Sequence, residues 1–185
     1  MSNRIAELQA KIEELKAELK KLQHAAPPEE VRDYSFETQT GTVTLSELFG
    51  DKDELILIHN MGVSCPYCTL WADGFEGQRA YLEDRAAFVV CSGDKPEVQA
   101  SFAAKRGWGF KMISDGSKQF TRDMGYWNEE DGWWPGASGF RQVDGKIYRT
   151  GTAIFGPGDD FCPIWPLQDL IGGDKGWEPK YHLKK

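Results

Sequence analysis

Two cysteines separated by two residues are the part of this sequence best suited to chemistry. Cys65 and Cys68 stand in the order Cys-Pro-Tyr-Cys, after an apolar run at 55–59 and a short loop. The run predicts a buried strand, and Pro66 suits the first position of a helix, so we expect Cys65 at a helix N-terminus. The N–H groups and the dipole there favour a thiolate, the reactive form of cysteine. Cys68 lies one turn further on, which predicts that Cys65 attacks and Cys68 resolves.

The same spacing admits other interpretations. Zinc or an iron–sulfur cluster needs about four protein ligands, whereas this chain has no second Cys-x-x-Cys pair and only three histidines. No metal site and no cofactor are therefore predicted. Two unreactive structural cysteines are an alternative to a redox pair. Cys91, in an apolar run, and Cys162, in an aromatic loop, are expected to be buried and inert, with Cys162 kept open as a third redox partner.

Three further features could act beside the cysteines. His59 ends the apolar run and is a candidate for holding charge or moving a proton near the thiol, with a hydrogen-bonded histidine at a strand end as the alternative. Trp71 follows Cys68 on the expected helix and is a candidate substrate-binding residue, with packing in the core as the alternative. The Trp-rich stretch at 127–134 is interpreted as a lid or partner-binding surface, or as a hydrophobic cluster under a loop.

The elements that must position these residues alternate between strand and helix. The dipeptide Asp144-Gly145 between two apolar segments is a strong signal for a two-residue β-hairpin. Parallel strand–helix–strand units followed by that hairpin predict an α/β fold, with helices on both faces of a central sheet. The expected strands are 42–45, 55–59, 87–91, 110–114, 140–143 and 146–150, and the expected helices are 66–85, 96–106, 117–124 and 167–171.

The N-terminal segment has a separate, heptad pattern. Isoleucine at two of the a positions with leucine at every d position predicts a self-associating coiled coil and leans toward a parallel pair, while packing on the chain's own domain is the alternative. Pro27 and Pro28 must end this helix. The predicted organisation is an oligomerisation helix at 1–25, a linker at 26–30 and one domain at 31–185. The heptad residues are Ile5, Leu8, Ile12, Leu15, Leu19 and Leu22.

Composition narrows the classes of partner. The formal net charge is −7 and the isoelectric point is near 5.0, which argues against a nucleic-acid partner and, more weakly, against an anionic membrane. The N-terminus is charged throughout, without the apolar stretch of a signal peptide. A cytoplasmic location is therefore expected. Thiols are reduced there, and a close cysteine pair indicates redox chemistry.

Five stretches of the chain resemble the DUF899 family of bacterial thioredoxin-like proteins. The tetrapeptide CPYC also resembles that of glutaredoxins, and the order of 109–117 and the later hairpin is similar to peroxiredoxin-type proteins. The resemblance to the DUF899 family spans roughly 31–185. It implies a thioredoxin-like fold, in which helices flank a central mixed sheet, without specifying a substrate. The stretches are DYSFE at 33–37, LSELF at 45–49, CPYCTLWADGF at 65–75, KRGWGF at 105–110 and GPGDDFC at 156–162.

These resemblances also bear on the reaction. Thioredoxins and glutaredoxins place a cis-proline beside the active cysteines, and Pro135 is the nearest candidate for that substrate-binding position, although the usual threonine does not follow it. The Pro and Thr that precede a peroxiredoxin cysteine are replaced by NMGVS at 60–64. The first hypothesis is therefore a thiol–disulfide oxidoreductase that acts on a protein disulfide or a small thiol. The alternatives are a peroxiredoxin-like thiol peroxidase and a non-enzymatic scaffold that binds a protein partner.

Overall fold

Strands and helices alternate along the chain, as the computed structural model shows for residues 3–173 and 175–180. The helices are α1 (Asn3–Ala25), α2 (Pro66–Arg85), α3 (Pro96–Arg106), α4 (Gln119–Asp123) and α5 (Ile164–Asp169), with a 3-10 helix at Ser46–Phe49. The strands are β1 (Glu29–Val31), β2 (Ser35–Thr38), β3 (Gly41–Thr44), β4 (Glu54–His59), β5 (Ala87–Ser92), β6 (Lys111–Ser114), β7 (Trp127–Asn128), β8 (Gly132–Trp133), β9 (Gly136–Val143) and β10 (Lys146–Ile154).

Eight of these strands form one mixed sheet in the order β1-β10-β9-β4-β5-β6-β2-β3. The three central strands β4, β5 and β6 are parallel, and β9 and β2 flank them in the antiparallel sense. Strands β7 and β8 form a separate two-stranded hairpin. Because β4 lies between two other strands, the loop that follows it starts near the middle of the sheet.

Alternation of side chains along β4 divides the core into two layers. Leu55 and Leu57 point into one layer, together with residues of the 3-10 helix and α4. Ile56 and Ile58 point into the other layer, which contains the buried side of α2, Trp108 and Trp165. The sheet is therefore covered on both faces, as its continuous apolar strands predicted.

The predicted α/β fold is confirmed. The predictions that rested on the clearest local sequence patterns, two helices and one hairpin turn, agree with the structure in detail. Helices α2 and α3 have the expected bounds and begin at their prolines. The β9–β10 turn places Asp144 at φ 50° and Gly145 at φ 77°, the pair of positive values that a type I′ hairpin turn requires.

The sequence missed the short strands and misplaced some ends. Strands β1 and β2 each bury a single residue, Val31 or Phe36, so neither shows a readable alternation. Glu29 and Glu30, assigned to the linker, pair with β10. Helix α4 starts two residues later than predicted because Lys118 has a left-handed backbone.

Candidate active site

The loop after β4 is held in place by two polar side chains. The N–H of Asn60 donates to the Cys91 carbonyl oxygen at 2.8 Å, which extends the β4–β5 pairing by one bond. The Asn60 carboxamide oxygen accepts the N–H of Gly62 at 2.8 Å. Asp94, which follows β5, accepts the N–H of Val63 at 2.9 Å. These contacts fix the direction in which the chain enters α2.

Cys65 is the N-cap of α2, with Pro66 at the first helical position. Its sulfur accepts the backbone N–H of Cys68 at 3.1 Å, so it takes the place of the oxygen of an ordinary capping residue. Its carbonyl oxygen accepts both the N–H and the hydroxyl of Thr69, at 3.1 and 3.0 Å. The structure thus places the first cysteine at a helix N-terminus, as the sequence predicted.

The two sulfurs have opposite proton affinities. A hydrogen bond from the Cys68 thiol, helped by the N–H groups of Cys68 and Tyr67, lowers the pKa of Cys65 to about 7, although burial acts the other way. The hydrogen bond to Cys65, burial and the charge on Cys65 together raise the pKa of Cys68 well above its usual range. At pH 7, about half of Cys65 is therefore ionised, and Cys68 is a thiol that donates to it.

Cys65, which has the lower pKa, is also the more exposed of the two cysteines. Cys65 is 8% exposed, whereas Cys68 is 2% exposed and lies behind it on α2. The Cys68 sulfur accepts the N–H of Met61 at 3.4 Å, so a donor for a Cys68 thiolate is already present. All four cysteines are reduced in this structure. A molecule approaching from solvent therefore reaches the Cys65 sulfur before the Cys68 sulfur.

His59 lies on the opposite face of the sheet from α2. Its ring stacks on Tyr126 at 3.7 Å between centroids, and its Nε2 atom lies 2.9 Å from the Ser138 hydroxyl. Burial, and secondarily the charge of Arg149, lower the pKa of His59 well below its usual value. In the part of the chain that the structure describes, no contact joins His59 to either cysteine. Its arrangement matches the alternative of a hydrogen-bonded histidine at a strand end.

The two predicted substrate-binding residues lie near the site in different settings. Trp71 is buried in the same layer as α2, packs against Phe155, and donates its indole N–H to Asp159 at 3.4 Å. Pro135 is buried and directly precedes Gly136, the β9 partner of His59. The described residues contain no cis peptide bond. Pro135, the nearest candidate for a cis-proline in the sequence, therefore follows a trans peptide bond, and its carbonyl continues the β9–β10 pairing by accepting the N–H of Phe155 at 2.9 Å.

The other two cysteines are buried in separate places. Burial, together with the charge of Asp115, raises the pKa of Cys91 well above its usual value. Burial also raises the pKa of Cys162. Cys162 lines a cavity of about 570 Å³ between α2 and the segment that leads into α5. The cavity wall includes Trp165. The ring centroid of Trp165 lies 6.2 Å from that of Tyr67, so the cavity adjoins Tyr67, one of the two residues between the paired cysteines.

The Trp-rich hairpin lies at the same end of the sheet as the cysteine loop. The Trp133 ring covers Gly93, so closely that a side chain at 93 would clash with it. Gly93 precedes Asp94, which holds Val63 of the cysteine loop. Trp134 next to it is 42% exposed. The hairpin therefore borders the site, as one of the two sequence interpretations proposed, and it exposes one aromatic ring.

Two of the five stretches that resemble the DUF899 family, 65–75 and 105–110, contact each other. Asp73, in the stretch at 65–75, accepts hydrogen bonds from Arg106 and from the indole N–H of Trp108 at 2.8 Å, both in the stretch at 105–110. The buried ion pair with Arg106 joins α2 to the end of α3. Asp73 was not singled out from the sequence, because its partners lie more than thirty residues further along the chain.

Neither a metal site nor a membrane span is found in the described residues. No three His, Cys, Asp or Glu side chains of residues 3–173 and 175–180 are grouped so that they could hold a metal ion. None of the helices described is both long and apolar enough to cross a bilayer.

Comparisons with known proteins place the chain in context. A family model described as "Bacterial protein of unknown function (DUF899)" matches residues 4–179. That match includes α1, whereas the resemblance noted in the sequence began at residue 31. A search of curated proteins finds no match.

Solved structures similar to this chain include several peroxiredoxins. A peroxiredoxin Q variant of Xanthomonas campestris is 18% identical with a TM-score of 0.56, covering 65% of this chain and 80% of its own. The peroxidoxin BcpB of Mycobacterium tuberculosis is 24% identical with a TM-score of 0.53, covering 69% and 80%. A reduced Vibrio vulnificus peroxiredoxin in complex with hydrogen peroxide is 16% identical with a TM-score of 0.55, covering 72% and 87%. The thioredoxin-like fold is thereby confirmed.

Proposed function

Since the chain belongs to the DUF899 family, whose description assigns no function, we propose an activity from its own residues: thiol–disulfide exchange at Cys65 and Cys68. One observation carries this proposal. The Cys65 sulfur receives hydrogen bonds from both the thiol and the backbone N–H of Cys68 at the N-terminus of α2. Such a sulfur is a thiolate near neutral pH, and its resolving partner is already in contact with it.

The first step is attack by Cys65 on a substrate disulfide. The Cys65 thiolate forms a bond to one substrate sulfur, and the substrate S–S bond breaks. The second substrate sulfur leaves as a thiolate and takes a proton from solvent. The product is a mixed disulfide between Cys65 and the substrate: the Cys65 sulfur has been oxidised and the departing substrate sulfur reduced, so the two changes balance.

The second step is attack by Cys68 on the Cys65 sulfur. Once Cys65 is in a disulfide, it carries no charge, so the hydrogen bond and the charge that raised the pKa of Cys68 are lost. The N–H of Met61 then stabilises the Cys68 thiolate as the thiol proton leaves. The new Cys65–Cys68 bond displaces the remaining substrate thiolate, which takes up a proton. The substrate is reduced by two electrons, and the protein dithiol is oxidised by two.

A thiol reductant must restore the dithiol. Glutathione or a protein dithiol can do this by the same two exchanges in reverse. We propose that the reaction takes place in the cytoplasm on a protein disulfide or a small thiol compound, since reduced thiols predominate there. Within the chain, we assign the reaction to residues 31–185 and self-association to residues 1–25.

Trapping the mixed disulfide tests the proposal. A Cys68→Ser variant treated with glutathione disulfide should accumulate one glutathione adduct, mapped to Cys65 by peptide mass. The wild type should instead release glutathione and form the Cys65–Cys68 disulfide. Cys162→Ser is the matched control and should behave as wild type. An adduct that forms elsewhere, or no adduct at any cysteine, would refute the assignment of Cys65 as the attacking thiol.

A thiol peroxidase is the second candidate, because the solved structures with this fold include a peroxiredoxin in complex with hydrogen peroxide. In that reaction, the Cys65 thiolate bonds to the terminal peroxide oxygen and the O–O bond breaks, giving a sulfenic acid, while the leaving oxygen takes a proton from solvent and departs as water or an alcohol. The Cys68 thiol then displaces water from the sulfenic sulfur and forms the disulfide. Peroxide consumption with a thiol reductant distinguishes this activity from disulfide exchange.

A binding role without catalysis is the third candidate, and the exposed Trp134 beside the site is the feature that supports it. In that case Cys65→Ser should leave partner capture unchanged. The trapping experiment then yields no adduct while Trp134→Ala abolishes capture of a protein ligand.

A further inference from the structure

Within residues 3–173 and 175–180, no other part of the protein covers the apolar stripe of α1. Helix α1 has no buried residue, and the stripe residues from Leu8 to Leu22 are 44–64% exposed. Lys16 pairs with Asp160 at 3.0 Å between two exposed side chains, and an ion pair of that kind contributes little to stability. The alternative in which α1 packs its stripe on its own domain is therefore not the arrangement observed.

A helix with this pattern needs an apolar partner. Most of the stability of a helix in a protein comes from packing of its apolar face, because propensity alone is marginal in water. The stripe is two residues wide per heptad, which fits one further helix and is too narrow for a globular core. The α1 helix of a second copy presents the same stripe at the same spacing.

The charged residues beside the stripe distinguish the two orientations of such a pair. The stripe has Ile12 and Leu19 at a positions, so Lys11 and Glu18 occupy g positions and Lys16 occupies an e position. In a parallel pair, g faces e of the next heptad, and Lys11 faces Lys16 of the second copy. In an antiparallel pair, g faces g, and Lys11 faces Glu18 of the second copy.

Each contact occurs twice by symmetry. The parallel arrangement therefore creates two repulsive pairs, and the antiparallel arrangement creates two attractive pairs. Isoleucine at a and leucine at d suit a two-stranded pair, whereas the e and g charges set the orientation. The preference for a parallel pair, drawn from the a and d residues alone, is thus reversed once the flanking charges are included.

We propose that two copies of this protein associate through α1 in an antiparallel pair. Ile12 packs against Leu15 of the second copy, and Leu8 packs against Leu19 of the second copy. Lys11 and Glu18 form the flanking ion pairs.

Charge reversal tests the orientation with opposite outcomes for the two arrangements. In sedimentation equilibrium of the full chain, Lys11→Glu should weaken self-association by about ten-fold, because it turns two attractive pairs into repulsive ones. The double variant K11E/E18K should recover the wild-type affinity to within roughly three-fold. Lys21→Glu, the same charge change at an outward c position, is the matched control and should alter the affinity by no more than roughly two-fold.

Two results would overturn the proposal. One is a wild-type chain that stays monomeric at every concentration. The other is a Lys11→Glu variant that associates more tightly, because a parallel pair would gain contacts between Glu at position 11 and Lys16. A variant with both Leu8→Cys and Leu19→Cys gives an independent reading after oxidation. An antiparallel pair yields disulfides between positions 8 and 19 of different chains, whereas a parallel pair yields 8–8 and 19–19 disulfides.

Discussion

Cys65 and Cys91 are both free thiols and both buried, at 8% and 2% exposure. Their pKa values are nevertheless shifted in opposite directions. Cys91 lies within β5, where burial raises the pKa of the thiol and the charge of Asp115 raises it further. Cys65 lies at the start of α2, where hydrogen bonds from Cys68 and backbone N–H groups outweigh burial and lower its pKa to about 7. Hydrogen-bond donors at the sulfur therefore account for the opposite directions of the two pKa shifts.

The two strand ends extend this comparison. His59 and Cys91 are register partners at the ends of β4 and β5, and both are held in their neutral forms by burial. Cys65 lies six residues after His59, where the chain has left the sheet. Its sulfur is surrounded by hydrogen-bond donors, unlike the buried sulfur of Cys91. The sheet thus positions the loop that leads to Cys65.

Removing each thiol should have the largest effect and should separate the two regions most clearly. Cys65→Ser is expected to abolish disulfide exchange, because a hydroxyl cannot form the mixed disulfide. Cys91→Ala is expected to keep the exchange activity of whatever protein remains folded. The rate of glutathione disulfide reduction, normalised to folded protein, measures both. Equal losses in the two variants would mean that the difference in pKa has no functional meaning.

Alkylation should show the contrast in the unaltered protein. At pH 7, iodoacetamide should modify Cys65 at least about 100-fold faster than Cys91, since only Cys65 is substantially ionised. Time-resolved peptide mass mapping gives both rates in one sample. The Cys65 rate should rise with pH and reach half its maximum near pH 7, following its pKa. Similar rates at the two cysteines would contradict the comparison.

Acid should destabilise the fold through His59. Its pKa is lowered in the folded state, so the unfolded chain binds this proton more tightly, and stability present above about pH 6.5 is lost as the pH falls. The free energy of unfolding should decrease by up to about 1.4 kcal/mol per pH unit below that value. Urea unfolding between pH 5 and 8 measures this slope.

His24 provides the control for that slope, because it is exposed on α1. His24→Gln should leave the pH dependence unchanged, whereas His59→Gln should flatten it. A slope that survives in His59→Gln would assign the effect to other groups.

The smallest effect is expected from the inner cysteine. Cys68→Ala removes the thiol that donates to Cys65, which is the largest cause of its lowered pKa. A rise of about one pKa unit would reduce the alkylation rate of Cys65 at pH 7 by roughly five-fold. The pH profile of alkylation in wild type and variant measures the shift. An unchanged profile would show that backbone N–H groups alone maintain the thiolate.

Local signals made much of the site predictable from the sequence. An apolar run, a short loop and a proline after Cys65 were sufficient to place this sulfur at a helix N-terminus, because each depends on a few neighbouring residues. The Asp144-Gly145 turn was predictable for the same reason. The starts of α2 and α3 also followed from their first prolines.

Long-range relations were not predictable in the same way. The side of the sheet that α2 covers decides whether His59 meets the cysteines, and nothing near His59 in the sequence specifies it. The contact of Asp73 with Arg106 joins residues 33 positions apart. Strand β1 exists because it pairs with β10, more than a hundred residues later. Each of these depends on tertiary structure rather than on local pattern.

Redox titration of the Cys65–Cys68 pair tests the central claim most directly. The full chain is equilibrated with glutathione buffers of graded potential, the remaining thiols are alkylated, and the reduced fraction is read by mass. We expect a reversible two-electron transition within the cytosolic range, roughly −200 to −320 mV, which Cys65→Ser abolishes and Cys162→Ser leaves in place. A pair that stays reduced and alkylates slowly at every potential would contradict the assignment of these cysteines as a redox centre.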